Sequence, residues 1–424
     1  MNEYVVGIDI GSSKVCAAAG RLDRNNKIQI IGITSTPCSG LKRGIVVDID
    51  STADGIIKAL EQLERMIDSK IKDIYISISG EICEITSNRG VVAVSAEDRE
   101  ITKNDVDRVL KAAKIISVPS DKEIVGVVPE QFVVDGYDNI TDPVGMCGMR
   151  LEVDAQIIMC QSTIISNLFK SINKAGFQSK GIVFQPIATA LAVMNSEEMK
   201  IGTLLLDIGA ETTNISVFKD NKLVLNDKLP LGGNTITNDI SLCLKLPQSE
   251  SEKIKIKYGN ITDAFDNEDF KIKINANYDS IVEVSNNLLN DIIAARIEEI
   301  MYLLKKKLDL HGYLEEISGI VVIGGGISLV KGSIDICREI LGKPVRIGIP
   351  EYIGAENTMY SSAIGVVKDV ISSGKVDFKE EKITKEKKKS DVKSIWNDED
   401  DEDNDEENDE GFFSKIKDFF TDFF

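Results

Sequence analysis

Two short segments of the chain repeat one arrangement of apolar, acidic and small residues. Residues 5–20 have the sequence VVGIDIGSSKVCAAAG, and residues 204–218 have the sequence LLLDIGAETTNISVF. Each segment has an apolar run, the triplet Asp-Ile-Gly, a few small polar residues and a second apolar run. This pattern predicts two strands joined by a tight turn, and its repetition indicates a duplicated, two-lobed fold.

The residues of the two turns could bind phosphate. Gly11 and Gly209 allow successive backbone amides to point to one side, which makes a nest for an anion. Hydroxyl donors and one cation lie beside these glycines, namely Ser12, Ser13, Thr212, Thr213 and Lys14. Two such turns that face each other would clamp a polyphosphate.

A carboxylate stands at the mouth of each turn. Asp9 and Asp207 would be repelled by a phosphate unless a cation lies between them. Mg²⁺ meets that need, because it keeps most of its waters and binds through one or two carboxylates plus phosphate oxygens. The alternative is that each Asp-Ile-Gly is only a hairpin turn. The matching contexts of the two copies favour the magnesium site.

A glycine cluster, Gly324, Gly325 and Gly326, follows the apolar run GIVVI and precedes a predicted helix. A strand, a glycine turn and a helix let a ligand approach the backbone closely, as at nucleotide sites. The cluster is not a dinucleotide fingerprint, because Leu329 occupies the last glycine position of that pattern. Hydride chemistry is therefore not indicated.

Composition limits the other kinds of chemistry. His311 is the single histidine, which leaves little room for a Ser-His-Asp triad or a His-rich metal site. The seven cysteines are scattered without metal-ligand spacing, so we expect buried free thiols. Eleven acidic residues within 398–410 account for much of the net charge of −19, and the remaining −8 offers no basic surface for nucleic acid.

The pattern of elements predicts an α/β architecture up to about residue 374. Short β-branched runs alternate with helix-period segments, as expected for helices that cover sheets. Residues 375–410 are charged and poor in apolar side chains, which predicts a disordered acidic tether. Neither a spanning helix nor a signal peptide is readable, so we expect a cytosolic body.

The last fourteen residues, GFFSKIKDFFTDFF, form an amphipathic pattern. At about 100° per residue, one arc of roughly 140° holds every apolar side chain. These are Phe412, Phe413, Ile416, Phe419, Phe420, Phe423 and Phe424. The pattern predicts a helix at 411–424 that lies on a membrane surface and is too short to span it. The alternative is a motif that binds a protein groove as a helix.

These motifs together resemble the actin-like ATPase superfamily and, within it, the FtsA family of bacterial cell-division proteins. The resemblance covers residues 3–370 and the tail. It implies a first phosphate motif at Asp9, Gly11, Ser12, Ser13 and Lys14 and an adenosine motif at Gly324, Gly325 and Gly326. The implied second phosphate motif comprises Asp207, Gly209, Ala210, Glu211, Thr212 and Thr213. ATP and Mg²⁺ are the implied cofactors.

The same resemblance implies subdomain boundaries and partners. The first-lobe core would comprise residues 1–84 and 162–196, with an inserted subdomain at 85–161 for polymer or partner contacts. The second-lobe core would comprise 197–227 and 310–374. Its small subdomain, 228–309, would bind the C-terminal tail peptide of FtsZ, the tubulin-like division GTPase. Self-association into filaments and attachment to the cytoplasmic face of the membrane at the division site are also implied.

Two roles at the nucleotide are less specific. Members of this superfamily offer charged side chains of a helix to the adenosine, and Arg296 and Glu299 lie three apart on one predicted helix face. A surface ion pair explains them equally well. Gln185, before Pro186, occupies the place of a water-positioning residue, although an amide that caps nearby backbone is the alternative. An amide cannot take a proton, so at most a slow ATPase is expected.

We expect a single tail to bind a membrane weakly, because the cost of ordering the segment offsets most of the gain from immersing its apolar side chains. Stable attachment then needs many tails on one polymer. Two alternative functions stay open at this point: a small-molecule kinase of the same superfamily, and a nucleotide-binding scaffold of a pilus or secretion platform. Neither explains the aromatic tail.

Overall fold

The computed structural model describes residues 4–262, 270–275, 281–328, 330–352, 354 and 356–374. The tether and the terminal helix predicted for 375–424 lie outside these residues. The strands are β1 Val5–Ile10, β2 Lys14–Leu22, β3 Ile28–Pro37, β4 Leu41–Lys42, β5 Ile45–Val46, β6 Asp73–Ile78, β7 Cys83–Ala93, β8 Lys122–Val134, β9 Tyr137–Ile140, β10 Arg150–Gln161, β11 Gln178–Phe184, β12 Thr203–Ile208, β13 Thr213–Lys219, β14 Lys222–Leu229, β15 Lys271–Asn275, β16 Ile281–Ser285, β17 Gly319–Ile323 and β18 Val345–Ile347. The helices are α1 Ile49–Ile67, α2 Lys103–Ala113, α3 Ser162–Lys174, α4 Gln185–Val193, α5 Ser196–Ile201, α6 Gly233–Leu244, α7 Gln248–Tyr258, α8 Asn286–Leu310, α9 Ser333–Leu341 and α10 Ser361–Ser372.

Two five-stranded sheets have the same topology, which confirms the duplicated core. The first sheet has the order β11-β6-β1-β2-β3 and the second has the order β14-β13-β12-β17-β18. In each sheet three consecutive strands form an antiparallel meander, and the first strand of the meander pairs in parallel with a later strand. The register is equivalent as well, since Asp9 faces Cys16 and Asp207 faces Asn214.

A third sheet, β7-β10-β8-β9, is inserted between β6 and α3 of the first lobe. Helix α2 packs on it around a core of its own, which includes Val109, Leu151 and Val153. The helix begins at a capping box, in which Thr102 and Asp105 each accept from the other's backbone amide. Its close approach to β7 requires Gly90, because a Cβ there would overlap the backbone of α2.

The two lobes share one apolar core. Helices α4 and α10 lie side by side, and Ala188, Ala363 and Val366 pack with residues of both central sheets, such as Ala18 and Leu205. Glycines permit this contact, since a Cβ at Gly365 would overlap the carbonyl oxygen of Ala188. The lobes are therefore joined by a buried apolar interface as well as by the segments of chain that run between them.

The cysteines differ in part from expectation. Cys16, Cys38, Cys160 and Cys337 are buried free thiols, as predicted, and Cys83 is partly exposed. Cys147 and Cys243 are exposed, which contradicts the prediction of buried thiols for these two residues. Within the described ranges, none of the helices combines the length and apolarity needed to cross a membrane.

We expect Gly365→Ala to destabilise the protein by about 2 kcal/mol, because overpacking at the α4–α10 contact outweighs the better helix propensity of alanine. Gly55→Ala is the matched control. Gly55 is also a buried helix glycine, but a Cβ there would meet only side-chain atoms of Cys38 and Val15, at 3.3 Å. Urea unfolding followed by circular dichroism gives both free energies. Equal midpoints for the two variants would contradict the packing argument.

Candidate functional site

A cavity of about 230 Å³ lies between the two lobes. Most of the residues singled out from the sequence line it: Asp9, Gly11, Ser12, Ser13, Lys14, Gln185, Asp207, Gly209, Ala210, Glu211, Thr212, Gly324, Gly325 and Gly326. The structure thus brings both Asp-Ile-Gly turns and the glycine cluster to one place.

The two turns are closed in the same way. The amide of Gly11 donates to the carbonyl oxygen of Lys14 at 2.9 Å, and the amide of Gly209 donates to that of Thr212 at 2.9 Å. The glycine N–H groups are therefore consumed by the turns. In the described part of the chain, the amides of Ser12 and Ser13 and those of Ala210 and Glu211 have no hydrogen-bond acceptor. These amides are the ones available to an anion.

The glycine cluster packs directly on the second turn. The amide of Gly326 donates to the carbonyl oxygen of Ile208 at 2.8 Å. Gly324 has φ +85°, and a Cβ there would lie 2.6 Å from Oδ1 of Asp207, so glycine is required on both counts. A Cβ at Gly325 would lie 3.4 Å from Nζ of Lys14, which shows that this first-lobe cation reaches the second-lobe loop.

Three carboxylates crowd one end of the cavity. The surrounding protein shields Asp207 from water and raises its pKa to about 7, with a further contribution from the charges of Asp9 and Glu81. Burial likewise raises the pKa of Asp9, although Ser77 donates to its Oδ1 at 2.5 Å. Burial also raises the pKa of Glu81, and its buried Oε2 accepts no hydrogen bond within the described residues.

This excess of buried negative charge fits a cation. The described residues contain no cluster of three or more His, Cys, Asp or Glu side chains able to hold a metal ion by themselves. A site with one or two carboxylates suits Mg²⁺, which keeps several waters and takes further oxygens from phosphate. Asp9 and Asp207 are the residues that would hold it.

Gln185 lies at the first position of α4, directly before Pro186, and is almost completely buried. Its Nε2 donates to Oδ2 of Asp207 at 3.2 Å and to Oγ of Ser362 at 3.1 Å. The partners are side chains, so the alternative of an amide that caps neighbouring backbone is not what the structure has. The side chain joins the second turn to α10 at the edge of the cavity.

Three of the predicted residues lie elsewhere. The hydroxyl of Thr213 donates to the carbonyl oxygen of Leu231 at 2.8 Å, behind the second turn. Arg296 makes a bidentate pair with Asp239, at 2.5 and 2.9 Å, and a second pair with Glu299. Neither Arg296 nor Glu299 lines the cavity. Their surroundings match the alternative that was left open, an ion pair on the surface of a helix.

A different charged pair, on α7, does line the cavity. Lys255 is 3% exposed, and its Nζ lies 2.7 Å from Oε2 of Glu252. The same nitrogen donates to Oγ1 of Thr237 at 2.8 Å and to the carbonyl oxygen of Gly233 at 3.0 Å. Burial lowers the pKa of Lys255, and Glu252 opposes that shift. The sequence signal was present, since the two residues lie three apart, as Arg296 and Glu299 do.

Other cavity residues carry no sequence signal of their own. Glu81 follows β6 in the turn Gly80–Ile82, and Asn214 lies on β13 with a buried Oδ1 that accepts no hydrogen bond from the described residues. The turn of the β4–β5 hairpin reaches across the cleft, where the amide of Arg43 donates to Oε2 of Glu211 at 2.8 Å. Only the tertiary structure places these groups at the site.

We expect Asp207→Asn to be more stable than the parent chain at pH 8 in EDTA, by on the order of a few kcal/mol. The pKa of Asp207 is raised on folding, so its ionisation destabilises the folded state as pH rises from about 4 to about 7. The difference between the two chains should vanish near pH 4, and thermal unfolding across this range measures it.

Asp105→Asn is the matched control, and its effect on folding stability should have the opposite sign. Asp105 is also buried, but hydrogen bonds from Thr102 and Ser95 lower its pKa, so its charge stabilises the folded state above about pH 4. This variant should be less stable than the parent at pH 8. If Asp207→Asn were instead less stable than the parent at pH 8, the ionised carboxylate of Asp207 would not be destabilising the folded parent chain.

Comparison with known proteins gives two family models. The model "Cell division protein FtsA" matches residues 204–365, and the model "SHS2 domain inserted in FTSA" matches residues 80–159. The boundaries predicted for the subdomains stay a prediction.

Curated relatives extend over most of the chain. The chain is 36% identical to the cell division protein FtsA of Bacillus subtilis, over 86% of this chain and 83% of the relative. It is 34% identical to the FtsA of Borreliella burgdorferi, over 86% of this chain and 90% of the relative. It is 30% identical to the FtsA of Pseudomonas aeruginosa, over 86% of this chain and 88% of the relative.

Solved structures share the fold at low identity. A PilM–PilN type IV pilus biogenesis complex matches with a TM-score of 0.61 and 16% identity, covering 87% of this chain and 98% of that chain. MreB5 of Spiroplasma citri bound to ADP matches with a TM-score of 0.54 and 13% identity, covering 88% and 97%. The two-lobed actin-like fold is thus confirmed. By sequence, the chain belongs to the FtsA family of bacterial cell-division proteins.

Proposed function

We propose that this protein binds ATP with Mg²⁺ between its lobes and polymerises as an adaptor. In this role it attaches the FtsZ ring to the cytoplasmic face of the membrane during division and septum assembly. The observation that carries the proposal is that two equivalent turns and a glycine loop face one cavity in a chain of the FtsA family. The kinase and pilus-scaffold alternatives have no comparable support.

The phosphates would bind between the two turns. The amides of Ser12 and Ser13 on one side, and of Ala210 and Glu211 on the other, are free to donate to phosphate oxygens. Lys14 adds a positive charge on the same side as the glycine loop. Mg²⁺ would supply charge neutralisation between the phosphates and the carboxylates of Asp9 and Asp207.

The nucleoside would lie toward the second lobe. Gly324, Gly325 and Gly326 leave room for a ligand against the backbone, and α7 presents Glu252 and Lys255 at the same cavity. The Glu252 carboxylate can accept from the hydroxyls of a ribose, while Lys255, whose three N–H groups point to Glu252, Thr237 and Gly233, holds that carboxylate in place. This pair therefore replaces Arg296 and Glu299 in the proposed site.

Hydrolysis would be slow at most. Gln185 lines the cavity and is fixed by Asp207 and Ser362, so it can orient a water molecule. It cannot accept the proton of that water, and His311, the single histidine of the chain, does not line the cavity. The chemistry would depend on positioning and on charge stabilisation, as is usual for phosphoryl transfer.

The partner contacts are proposed for the subdomains. We keep 85–161 for polymer or partner contacts and 228–309 for the FtsZ tail peptide. In support, α6 and α8 of the latter expose apolar side chains, with Leu242 76%, Tyr302 60% and Leu288 49% accessible to solvent. Their exposure leaves these side chains available to contact an apolar partner peptide.

The membrane contact is assigned to residues 411–424 on sequence alone, because they lie outside the described residues. Seven apolar side chains immersed to about half their depth would contribute roughly 7 kcal/mol, which the ordering of the segment largely offsets. A single tail would bind weakly, and a polymer would bind stably through many tails. The protein would then be peripheral and located at the division site.

We expect Lys14→Met to weaken ATP binding by about tenfold or more, because one positive charge beside the phosphates is lost. Adenosine binding should change much less, since adenosine carries no phosphate for Lys14 to neutralise. Lys58→Met, on the exposed face of α1, is the matched control and should leave both affinities unaltered. Isothermal titration with ATP and Mg²⁺ measures the affinities, and an equal affinity in Lys14→Met would argue against the proposed phosphate site.

Co-sedimentation with liposomes tests the adaptor role. The full chain should pellet with the vesicles, more strongly with ATP and Mg²⁺, and a chain that ends at Glu410 should stay in the supernatant. Phe420→Asp should lose binding, because it puts a charge on the apolar face of the tail, whereas Thr421→Asp makes the same charge change on the polar face and should retain it. If the truncated and full chains both stay in solution, the tail binds a protein instead.

A further inference from the structure

Two cysteines face each other where the inserted sheet joins the first-lobe core. Cys83 is the first residue of β7, Cys160 lies next to the end of β10, and the two are direct partners in the antiparallel pair. Directly opposite residues have Cβ atoms about 4.5–5.5 Å apart. A disulfide needs about 3.5–4.5 Å, so a small shift of the strands is sufficient.

The strand register places the two thiols directly opposite each other, and the nearness of each to the other lowers the pKa of Cys160 while it raises the pKa of Cys83. The Cys160 thiol also donates to the carbonyl oxygen of Ile82 at 3.4 Å. Cys160 is buried and Cys83 is partly exposed, so a small oxidant suits the pair better than a large one.

The position of the pair gives it a structural consequence. We call residues 79–83 and 160–162 the neck, because the chain enters the inserted sheet through the first segment and leaves it through the second. Cys83 lies on one side of the neck and Cys160 on the other. A covalent bond between them would tie the two connections together and close the whole inserted subdomain into a loop.

The neck also borders the cavity. Ser79, Glu81 and Ile82 line the cavity and directly precede Cys83. The second lobe holds this same segment, since Nδ2 of Asn226 donates to the carbonyl oxygen of Gly80 at 2.9 Å and Nζ of Lys228 donates to that of Glu81 at 2.5 Å. A bond at the neck therefore restrains the join between cavity and inserted subdomain.

We propose that Cys83 and Cys160 form a thiol-oxidation site at which a hydroperoxide, of which H₂O₂ is the simplest, produces a disulfide across the neck. With H₂O₂, Cys160 gives up its thiol proton and the thiolate attacks one peroxide oxygen. The O–O bond breaks, Cys160 becomes a sulfenic acid, and the leaving hydroxide takes the proton to form one water. The Cys83 thiol then attacks the sulfenic sulfur, the S–S bond forms, and the hydroxyl leaves as a second water. Two thiols lose two electrons, and the peroxide accepts them.

Among the described strands, no other two cysteines face each other in the register. Cys147 and Cys243 are exposed and have no cysteine facing them in the strand register. Cys16 faces Ser35, to which it donates at 3.7 Å. The neck pair is thus distinguished by its register and not by exposure.

The test uses the full chain with Cys147→Ser and Cys243→Ser, which removes the two exposed thiols. After treatment with H₂O₂ and alkylation, mass spectrometry of a non-reduced digest should show a Cys83–Cys160 linked peptide. Two thiols per chain should become unreactive and return with dithiothreitol. The oxidised chain should also migrate faster in a non-reducing denaturing gel, because the segment between the two cysteines forms a closed loop.

Cys83→Ser in the same background is the matched control. It should give no linked peptide, and Cys160 should accumulate as a sulfenic acid that dimedone traps. The proposal is overturned if the parent background forms no Cys83–Cys160 link while its thiols stay intact or proceed to sulfinic acid. Trapping no sulfenic acid at Cys160 in the Cys83→Ser chain would overturn the proposed order of attack.

Discussion

The structure depends on negative charge held away from water at the interface of two lobes. Asp9 and Asp207 stand at equivalent ends of two core strands, and Glu81 lies at the same cavity. Holding three carboxylates there costs free energy in the folded protein. Ser77 and Gln185 offset part of the cost by hydrogen bonds, and the shared apolar core prevents the lobes from separating to relieve it. A bound cation would relieve the same repulsion. The carboxylates that cost free energy on folding are therefore the ones that would bind the cation.

The two lobes differ in the segment that follows the parallel neighbour of the first strand. In each lobe the parallel neighbour of the first strand ends at the cleft, β6 in one and β17 in the other. After β17 the chain continues as the glycine loop, packed on the second turn. After β6 the equivalent segment, 79–82, carries Glu81 and leads into the inserted sheet. The two segments occupy equivalent positions but differ in role. The segment after β17 packs its backbone closely on the second turn, whereas the segment after β6 carries an acidic side chain and connects to the inserted sheet.

Sequence reasoning found what is local and missed what is tertiary. The turns, Asp9, Asp207 and the glycine cluster were predictable because their chemistry lies within a few consecutive residues. The choice between two charged pairs at the same helical spacing was not, since Arg296 packs against Asp239 and only the fold brings Lys255 to the cavity. Glu81 could not be predicted either, because its role depends on strand order. Fold class and most of the candidate site were therefore accessible, and the side chains contributed by neighbouring elements were not.

The segment 79–83 connects three parts of the molecule that have separate proposed roles. Its carboxylate lies in the cavity, its carbonyl oxygens accept from Asn226 and Lys228 of the second lobe, and its last residue begins the inserted sheet. A relative movement of the lobes must change at least one of these contacts, because all of them involve five consecutive residues. Glycine is required at position 80, because a Cβ there would lie 2.4 Å from Oδ1 of Asn226. A movement of one lobe relative to the other would therefore reach the inserted subdomain through this one segment of backbone.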